Sequence, residues 1–190
     1  YEMTSSLVGS EMCIRDSHVS VVPNHQLNRK TPLHTRANVA YFGTFGYELD
    51  LNKLSEDEIL EVKAQIAFMK EYREVIQFGN FYRLKSPFEG NETVWMSVSE
   101  DKKTALVFWY RERNVVNADF TRVRLEGLNP DFLYKNELNG TENYGDELMN
   151  LGLITTDSTA GEPTDEEELC SDYESRIYVL TTVARIPSPL

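Results

Sequence analysis

The hydrophobic and polar positions of this chain follow two different periods, one on each side of about residue 77. A β-branched run at residues 18–22 predicts a short strand, and apolar residues at helical spacing follow as far as Gly43. Thr31 and Pro32 are expected to open this helix, with Thr31 as its N-cap. Alternation of apolar and polar side chains at residues 45–51 then predicts a second strand.

A capping box and the amphipathic stretch behind it form the clearest local signal. Ser55 is followed three residues later by Glu58, a pair that satisfies two backbone donors at the start of a helix. Apolar side chains then recur on one face, at Ile59, Val62, Ile66, Met69, Tyr72 and Ile76. Strand, helix, strand and long helix is the order found in a parallel sheet or in the wall of a barrel.

From residue 78 the pattern changes to short β-rich runs separated by turn signals. Polar turns at residues 100–103 and 127–131 lie between some of these runs. In the run at residues 121–126, Val123 and Leu125 share the apolar face, so this strand is predicted to be half exposed. The predicted strands are residues 78–84, 93–99, 104–111, 121–126, 132–138 and 176–183. This pattern is typical of an antiparallel β-sandwich.

Charge and composition exclude several classes of protein. The 190 residues contain 19 Lys and Arg against 31 Asp and Glu, a net charge of −12 that repels phosphate backbones, so no nucleic-acid partner is expected. No membrane association is expected either, because no stretch approaches the roughly 18 apolar residues of a membrane-spanning helix. The acidic residues concentrate at residues 156–171, and we interpret this stretch as a solvated loop because its like charges repel one another and it has little to bury. A calcium site is not expected, because the stretch lacks the glycine turn and the alternating oxygen ligands of a calcium-binding loop.

The first seventeen residues do not fit the pattern of the rest. The stretch LVGSEMCIRDS at residues 7–17 has no clear period, and its codons match a nucleotide string that resembles a transposon-based sequencing adaptor. We therefore interpret residues 1–17 as a non-native segment and expect the natural N-terminal part to be missing. Cys13 is discounted with it, which leaves Cys170 without an intrachain disulfide partner.

Two carboxylates come closest to a catalytic set. Glu48 and Asp50 would lie on one face of the predicted second strand, and paired carboxyl groups are the machinery of glycoside hydrolysis. They could equally be hydrogen-bonded lining near the mouth of a barrel. The sequence completes no catalytic site from these two residues alone.

The other side chains with suitable chemistry have weaker patterns. His18, His25 and His34 lack the spacing of a metal-binding motif, so no metal is expected. Trp95 and Trp109 could stack on a sugar ring, but packing in the core of adjacent strands is the preferred interpretation.

Five blocks of sequence, in order along the chain, resemble the C-terminal part of glycoside hydrolase family 36 α-galactosidases. They are HVSVVPNHQ at residues 18–26, TPLHTRANVAYFGTFGYELDL at 31–51, IQFGNFYRLKSPFEGNE at 76–92, YGDELMNLGL at 144–153 and DYESRIYVL at 172–180. The resemblance implies an α/β part followed by an all-β part. Residues 18–77 would be the last two strand–helix units of a (β/α)8 TIM barrel, and residues 78–190 a C-terminal antiparallel β-sandwich.

The resemblance also implies an activity. Family members are cytoplasmic retaining enzymes, often tetramers, that remove terminal α-galactosyl groups from melibiose- or raffinose-type oligosaccharides without a metal or organic cofactor. Their two catalytic Asp residues lie in a Lys-Trp-Asp and a Ser-Asp-x-x-Asp motif, and neither motif occurs in this chain. We therefore expect the isolated chain to be inactive. Barrel sites lie at the carboxyl ends of strands, so Asn24 and His25 are expected to support the galactose pocket or a subunit contact.

Two alternatives remain open on the sequence. One is a non-catalytic carbohydrate-binding β-sandwich, which glycan binding by residues 78–190 alone would support. The other is a transglycosylase related to raffinose synthases, which an acceptor site upstream of this chain would distinguish from a hydrolase.

Overall fold

The computed structural model describes residues 18–23, 30–43, 45–113, 121–155 and 172–183. The chain divides into two compact units, residues 1–77 and residues 78–190. Within the described residues, no helix combines the length and the apolar character needed to cross a membrane.

The described residues of the first unit form two short parallel strands, two α-helices and a short 3-10 helix. Strand β1 (His18–Ser20) pairs with β2 (Gly46–Glu48) in parallel, with His18 opposite Gly46 and Ser20 opposite Glu48. Helix α1 (Leu33–Ala40) connects the strands, and α2 (Glu56–Phe78) follows β2. The predicted order of strand, helix, strand and long helix is therefore confirmed, as is its parallel pairing.

Two details of this unit differ from the sequence-based prediction. Helix α1 has Pro32 at its N-cap position with no side-chain capping bond, so Thr31 is not its N-cap. Strand β2 ends at Glu48, and a short 3-10 helix occupies Leu51–Lys53. The cause is local: the carboxylate of Asp50 accepts a hydrogen bond from the backbone N–H of Asn52 at 3.1 Å, which favours a turn over a continued strand.

The capping box at the start of α2 is confirmed. The Ser55 backbone N–H donates to Glu58 Oε2 at 2.8 Å, and the Glu58 N–H donates to Ser55 Oγ at 3.2 Å. The apolar stripe of this helix supplies the buried residues Val62, Met69 and Ile76.

The second unit is built on an antiparallel sheet of six strands. Their spatial order is β3 (Asn80–Lys85), β4 (Glu92–Val98), β5 (Thr104–Arg111), β10 (Glu174–Thr182), β7 (Leu133–Asn136) and β8 (Glu142–Tyr144). A short ladder of β6 (Arg122–Val123) and β9 (Leu153–Ile154) and the helix α3 (Gly145–Asn150) complete the unit. The predicted antiparallel β fold is confirmed, but among the described residues the second sheet has only two strands.

One hydrophobic core joins the six-stranded sheet to the short ladder and α3. Alternate residues of the central strands, such as Met96 and Val107, face it, and Val123 and Leu125 meet them from the β6 side. Trp109 lies in this core with 1% of its surface exposed. The half-exposed character of residues 121–126 and the core role of Trp109 are therefore confirmed.

Candidate functional site

The parallel pair β1–β2 presents two unlike faces. Val19 is fully buried, and the hydroxyl group of Tyr47 donates to Gln65 Oε1 on α2 at 2.7 Å, so this face packs against the helices. Side chains alternate between the faces of a strand, so the other face carries His18, Ser20, Gly46 and Glu48. We call it the helix-free face, because within the described residues no helix is recorded in contact with its side chains. It is polar, whereas the helix side is apolar and aromatic.

A histidine and a glutamate meet on the helix-free face. His18 Nε2 lies 2.8 Å from Glu48 Oε2, and the two side chains are 42% and 76% exposed. Because Ser20 is the residue opposite Glu48, the imidazole of His18 reaches diagonally along the pair of strands. The contact becomes an ion pair when the imidazole is protonated.

Asp50 does not join this pair. Its Oδ1 atom accepts hydrogen bonds from the backbone and side-chain nitrogens of Asn52 at 3.1 and 3.0 Å, and Lys53 Nζ lies 4.0 Å from its Oδ2 atom. The expectation that Glu48 and Asp50 share one strand face is wrong, because the strand ends between them. The partner of Glu48 is instead His18, which sequence spacing did not indicate.

The strands that carry the pair are fixed to the helices by polar contacts. Arg36 of α1 donates through Nη1 to the backbone oxygen of Ser20 and through Nε to that of Thr31 at 3.0 Å. Burial lowers the pKa of Arg36, while the acidic residues Glu58 and Glu61 act in the opposite direction. This anchor fixes the carboxyl end of β1.

Two tyrosines contact Gln65 of α2, Tyr41 from the end of α1 and Tyr47 from β2. The Tyr41 hydroxyl donates to the backbone oxygen of Gln65 at 3.3 Å, and the Tyr47 hydroxyl donates to the side chain of the same residue. Burial raises the pKa of Tyr41 well above its usual value and that of Tyr47 to about 12. Neither phenol carries a charge near neutral pH, so both serve as hydrogen-bond donors.

The remaining histidines and carboxylates form no second site in the described part of the chain. Asn24 and His25, expected to support a galactose pocket, lie outside the described residues, as do residues 1–17 and 156–171. His34 is exposed on α1. Among the residues that the structure describes, no group of three or more His, Cys, Asp or Glu side chains could hold a metal ion.

A cavity of about 350 Å³ adjoins β2 and α2. Its lining includes the rings of Phe45 and Tyr47, the apolar Met69 and the cationic side chains of Lys70 and Arg73. None of the described lining residues is Asp or Glu. This cavity therefore lacks the carboxylates that hydrolysis of a glycoside requires.

In the second unit, charged side chains surround one end of the core. Glu174 pairs with Arg111 and, at 2.8 Å, with Arg176, and the two guanidinium groups lie 5.4 and 5.9 Å from the ring centroid of Trp109. Trp95 contacts Tyr110, with ring centroids 5.5 Å apart. Because Trp109 is buried, its ring cannot stack on a sugar.

Comparison with known protein families shows which family this chain belongs to. The glycosyl hydrolase family 36 C-terminal domain matches residues 92–180, and the melibiase family matches residues 2–79. The chain belongs to glycosyl hydrolase family 36. The melibiase match begins within residues 1–17, which we interpret as adaptor-derived.

Relatives of this family 36 chain are α-galactosidases. The chain is 51% identical over 138 residues to α-galactosidase AgaA of Geobacillus stearothermophilus, a match that covers 72% of this chain and 19% of AgaA. It is 43% identical over 162 residues to α-galactosidase 1 of Pediococcus pentosaceus, covering 85% of this chain and 21% of that protein. The chain thus spans about a fifth of the length of these curated relatives.

Solved structures of the family agree with the fold. The crystal structure of AgaA matches with a TM-score of 0.77 and 45% identity, over 88% of this chain and 22% of AgaA. That of the Lactobacillus brevis α-galactosidase matches with a TM-score of 0.80 and 40% identity, over the same shares. AgaA variants have been crystallised with stachyose and with raffinose. In the family 36 chain, the helix-free face of β1–β2 is the candidate site.

Proposed function

We propose that this chain is part of an α-galactosidase that removes terminal α-galactosyl groups from raffinose-type oligosaccharides with retention of configuration. The observation that carries the proposal is the 51% identity over 138 residues to AgaA, which is named as an α-galactosidase. AgaA variants bind raffinose and stachyose, which suggests substrates of the same class for the parent of this chain.

In the proposed enzyme, the first unit supplies the last two strand–helix units of a (β/α)8 barrel. The parallel pairing of β1 with β2 and the helix that follows each strand support this assignment. Helices surround such a barrel on the outside, so the helix-free face of β1–β2 would line its interior. The second unit would be the C-terminal β domain.

The proposed chemistry requires two carboxylic groups about 5 to 5.5 Å apart, one as nucleophile and one as acid and then base. The family's Lys-Trp-Asp and Ser-Asp-x-x-Asp motifs do not occur in the 190 residues. On the face that would line the barrel, Glu48 pairs with an imidazole and not with a second carboxylate. The reacting carboxylates would therefore be supplied by the rest of the parent enzyme.

A chimera tests this proposal. The segment of AgaA that matches residues 18–183 is replaced by those residues of this chain, and hydrolysis of raffinose and of p-nitrophenyl α-galactoside is measured. We expect an active chimera, an inactive 190-residue chain and an inactive AgaA that lacks the segment. Galactose release by the 190-residue chain alone, or a folded chimera without activity, would contradict the proposal.

The resemblance further implies that the intact enzyme is a homotetramer. Size-exclusion chromatography with light scattering on the chimera, beside AgaA itself, tests this. A monomeric chimera that hydrolyses raffinose would show that the tetramer is not needed for activity.

A further inference from the structure

The composition of the helix-free face departs from what a barrel interior normally contains. Interiors of (β/α)8 barrels are filled by bulky branched side chains, mainly Val, Ile and Leu. The four residues that β1 and β2 direct to this side are His18, Ser20, Gly46 and Glu48. Polar groups at core positions cost free energy unless they are paired, so such a departure is typical of functional sites.

The position of Glu48 in the strand indicates what its carboxylate could contact. It is the last residue of β2, and barrel sites lie at the carboxyl ends of the strands. Its Oε2 atom is held by His18, and within the described residues no partner is recorded for its Oε1 atom. An ionised carboxylate oxygen is a strong acceptor for a hydroxyl group, and galactose presents several hydroxyl groups.

The two strands that carry the His18–Glu48 pair are also held by hydrogen bonds to the helices. Arg36 ties β1 to α1 through the backbone of Ser20, and Tyr47 ties β2 to Gln65 of α2. Binding sites on such anchored elements hold their geometry better than sites on loops. The Glu48 carboxylate is thus fixed through its partner and through both strands.

We propose that Glu48 is a substrate-binding residue whose carboxylate accepts a hydrogen bond from a hydroxyl group of the galactosyl unit. His18 is a positioning residue that fixes the orientation of this carboxylate. This inference rests on the proposed function, because only in the closed barrel does the helix-free face line a sugar pocket.

The experiment uses the active chimera with Glu48→Gln, His18→Gln and the double variant. We expect Glu48→Gln to lower kcat/KM for p-nitrophenyl α-galactoside by about 10- to 100-fold, the range for a lost hydrogen bond to a charged group. His18→Gln should lower it by about 3- to 10-fold, and the double variant should resemble Glu48→Gln alone, because His18 acts through Glu48. Glu56→Gln, an exposed residue of α2, is the matched control and should change nothing.

Deoxygalactosides separate binding from a merely structural role. With the substrate that lacks the contacted hydroxyl group, the chimera with Glu48 and the Glu48→Gln variant should have the same kcat/KM. With the other deoxygalactosides, the loss on substitution should persist. This selectivity names the hydroxyl group that Glu48 contacts.

An unsubstituted chimera without activity overturns the proposed function, and this inference with it. An active chimera in which Glu48→Gln has no effect, or has the same effect on every deoxygalactoside, overturns the inference alone. Where Glu48→Gln does not fold, as judged by circular dichroism, Glu48→Asp provides the same test with the carboxylate retained but withdrawn by one methylene.

Discussion

Gly145 occupies a position at which any side chain would meet the backbone of another segment. A Cβ atom added there would lie 2.0 Å from the carbonyl oxygen of Asn129 and 3.1 Å from the ring of Tyr134. A carbonyl oxygen cannot rotate away as a flexible side chain can. The separation must increase by at least 1.0 Å to reach the shortest distance that Cβ atoms normally show, 3.0 Å.

The expected loss in stability follows from this displacement. Moving α3 away strains the hydrogen bond from the Gly145 N–H to the Phe132 oxygen at 2.9 Å and that from the Asp146 N–H to the Pro130 oxygen at 3.3 Å. Overpacking of this kind costs about 1 to 3 kcal/mol. The better helix propensity of alanine offsets at most about 1 kcal/mol of this loss in stability. The clash therefore dominates, and we expect Gly145→Ala to destabilise the second unit by about 2 kcal/mol.

Two other glycines provide matched controls. Gly140 has φ +72° but nothing within 4 Å of an added Cβ, and Gly90 has neither a positive φ nor a neighbour. Gly140→Ala should cost about 1 to 2 kcal/mol from backbone strain alone, and Gly90→Ala should be neutral within about 0.5 kcal/mol.

Tryptophan fluorescence during urea unfolding measures this series. Both tryptophans of the chain, Trp95 and Trp109, lie in the second unit, so the signal reports on that unit. A loss of about 2 kcal/mol should lower the midpoint by about 1 M urea for an m-value of about 2 kcal/mol/M. A Gly145→Ala midpoint equal to that of Gly90→Ala would refute the steric argument.

Three further predictions concern the first unit. Ser55→Ala removes the helix cap and should lower the free energy of unfolding by about 1 kcal/mol. Thermal unfolding followed by circular dichroism at 222 nm should show a lower midpoint, and an unchanged midpoint would count against the capping box. Tyr47 has a pKa of about 12 in the fold and about 10 when unfolded, so the stability it contributes is complete below about pH 10 and is lost as the pH rises towards 12. Urea titrations from pH 8 to 11.5 test this, and Tyr47→Phe should flatten the decline. Limited proteolysis should digest residues 18–77 before residues 78–183, because an isolated two-stranded pair is only marginally stable. Survival of residues 18–77 alone would contradict this prediction.

Sequence patterns predicted those elements whose periodicity extends over several residues. The strand at residues 104–111 has the predicted bounds, and the capping box of α2 forms the two expected hydrogen bonds. The elements β8, α3 and β9 were not predicted, because each is too short to show a period. Their stability comes from distant contacts such as the bond between Gly145 and Phe132, which no local window contains.

The candidate site was predicted only in part. The sequence pointed to Glu48 because it lies with Asp50 on the polar side of an alternating run, but it gave Glu48 the wrong neighbour. Asp50 is two residues away and its side chain caps a turn, whereas His18 is thirty residues away and is brought close by parallel pairing. The register of a parallel pair depends on how each strand packs against its helices, and this information is not local.

In the proposed enzyme, the geometry of the His18–Glu48 pair indicates which part of the reaction this chain would serve. A retaining glycosidase needs two carboxyl groups at close separation, and two strands supply only a quarter of the wall of an eight-stranded barrel. One oxygen of the carboxylate that they direct to the helix-free face is held by an imidazole, so its other oxygen is suited to accepting a hydroxyl hydrogen bond. An interaction of that kind exists before the bond to the leaving group breaks. Its removal should therefore raise KM more than it lowers kcat, and a variant at Glu48 that lowers kcat alone would place this carboxylate among the reacting groups instead.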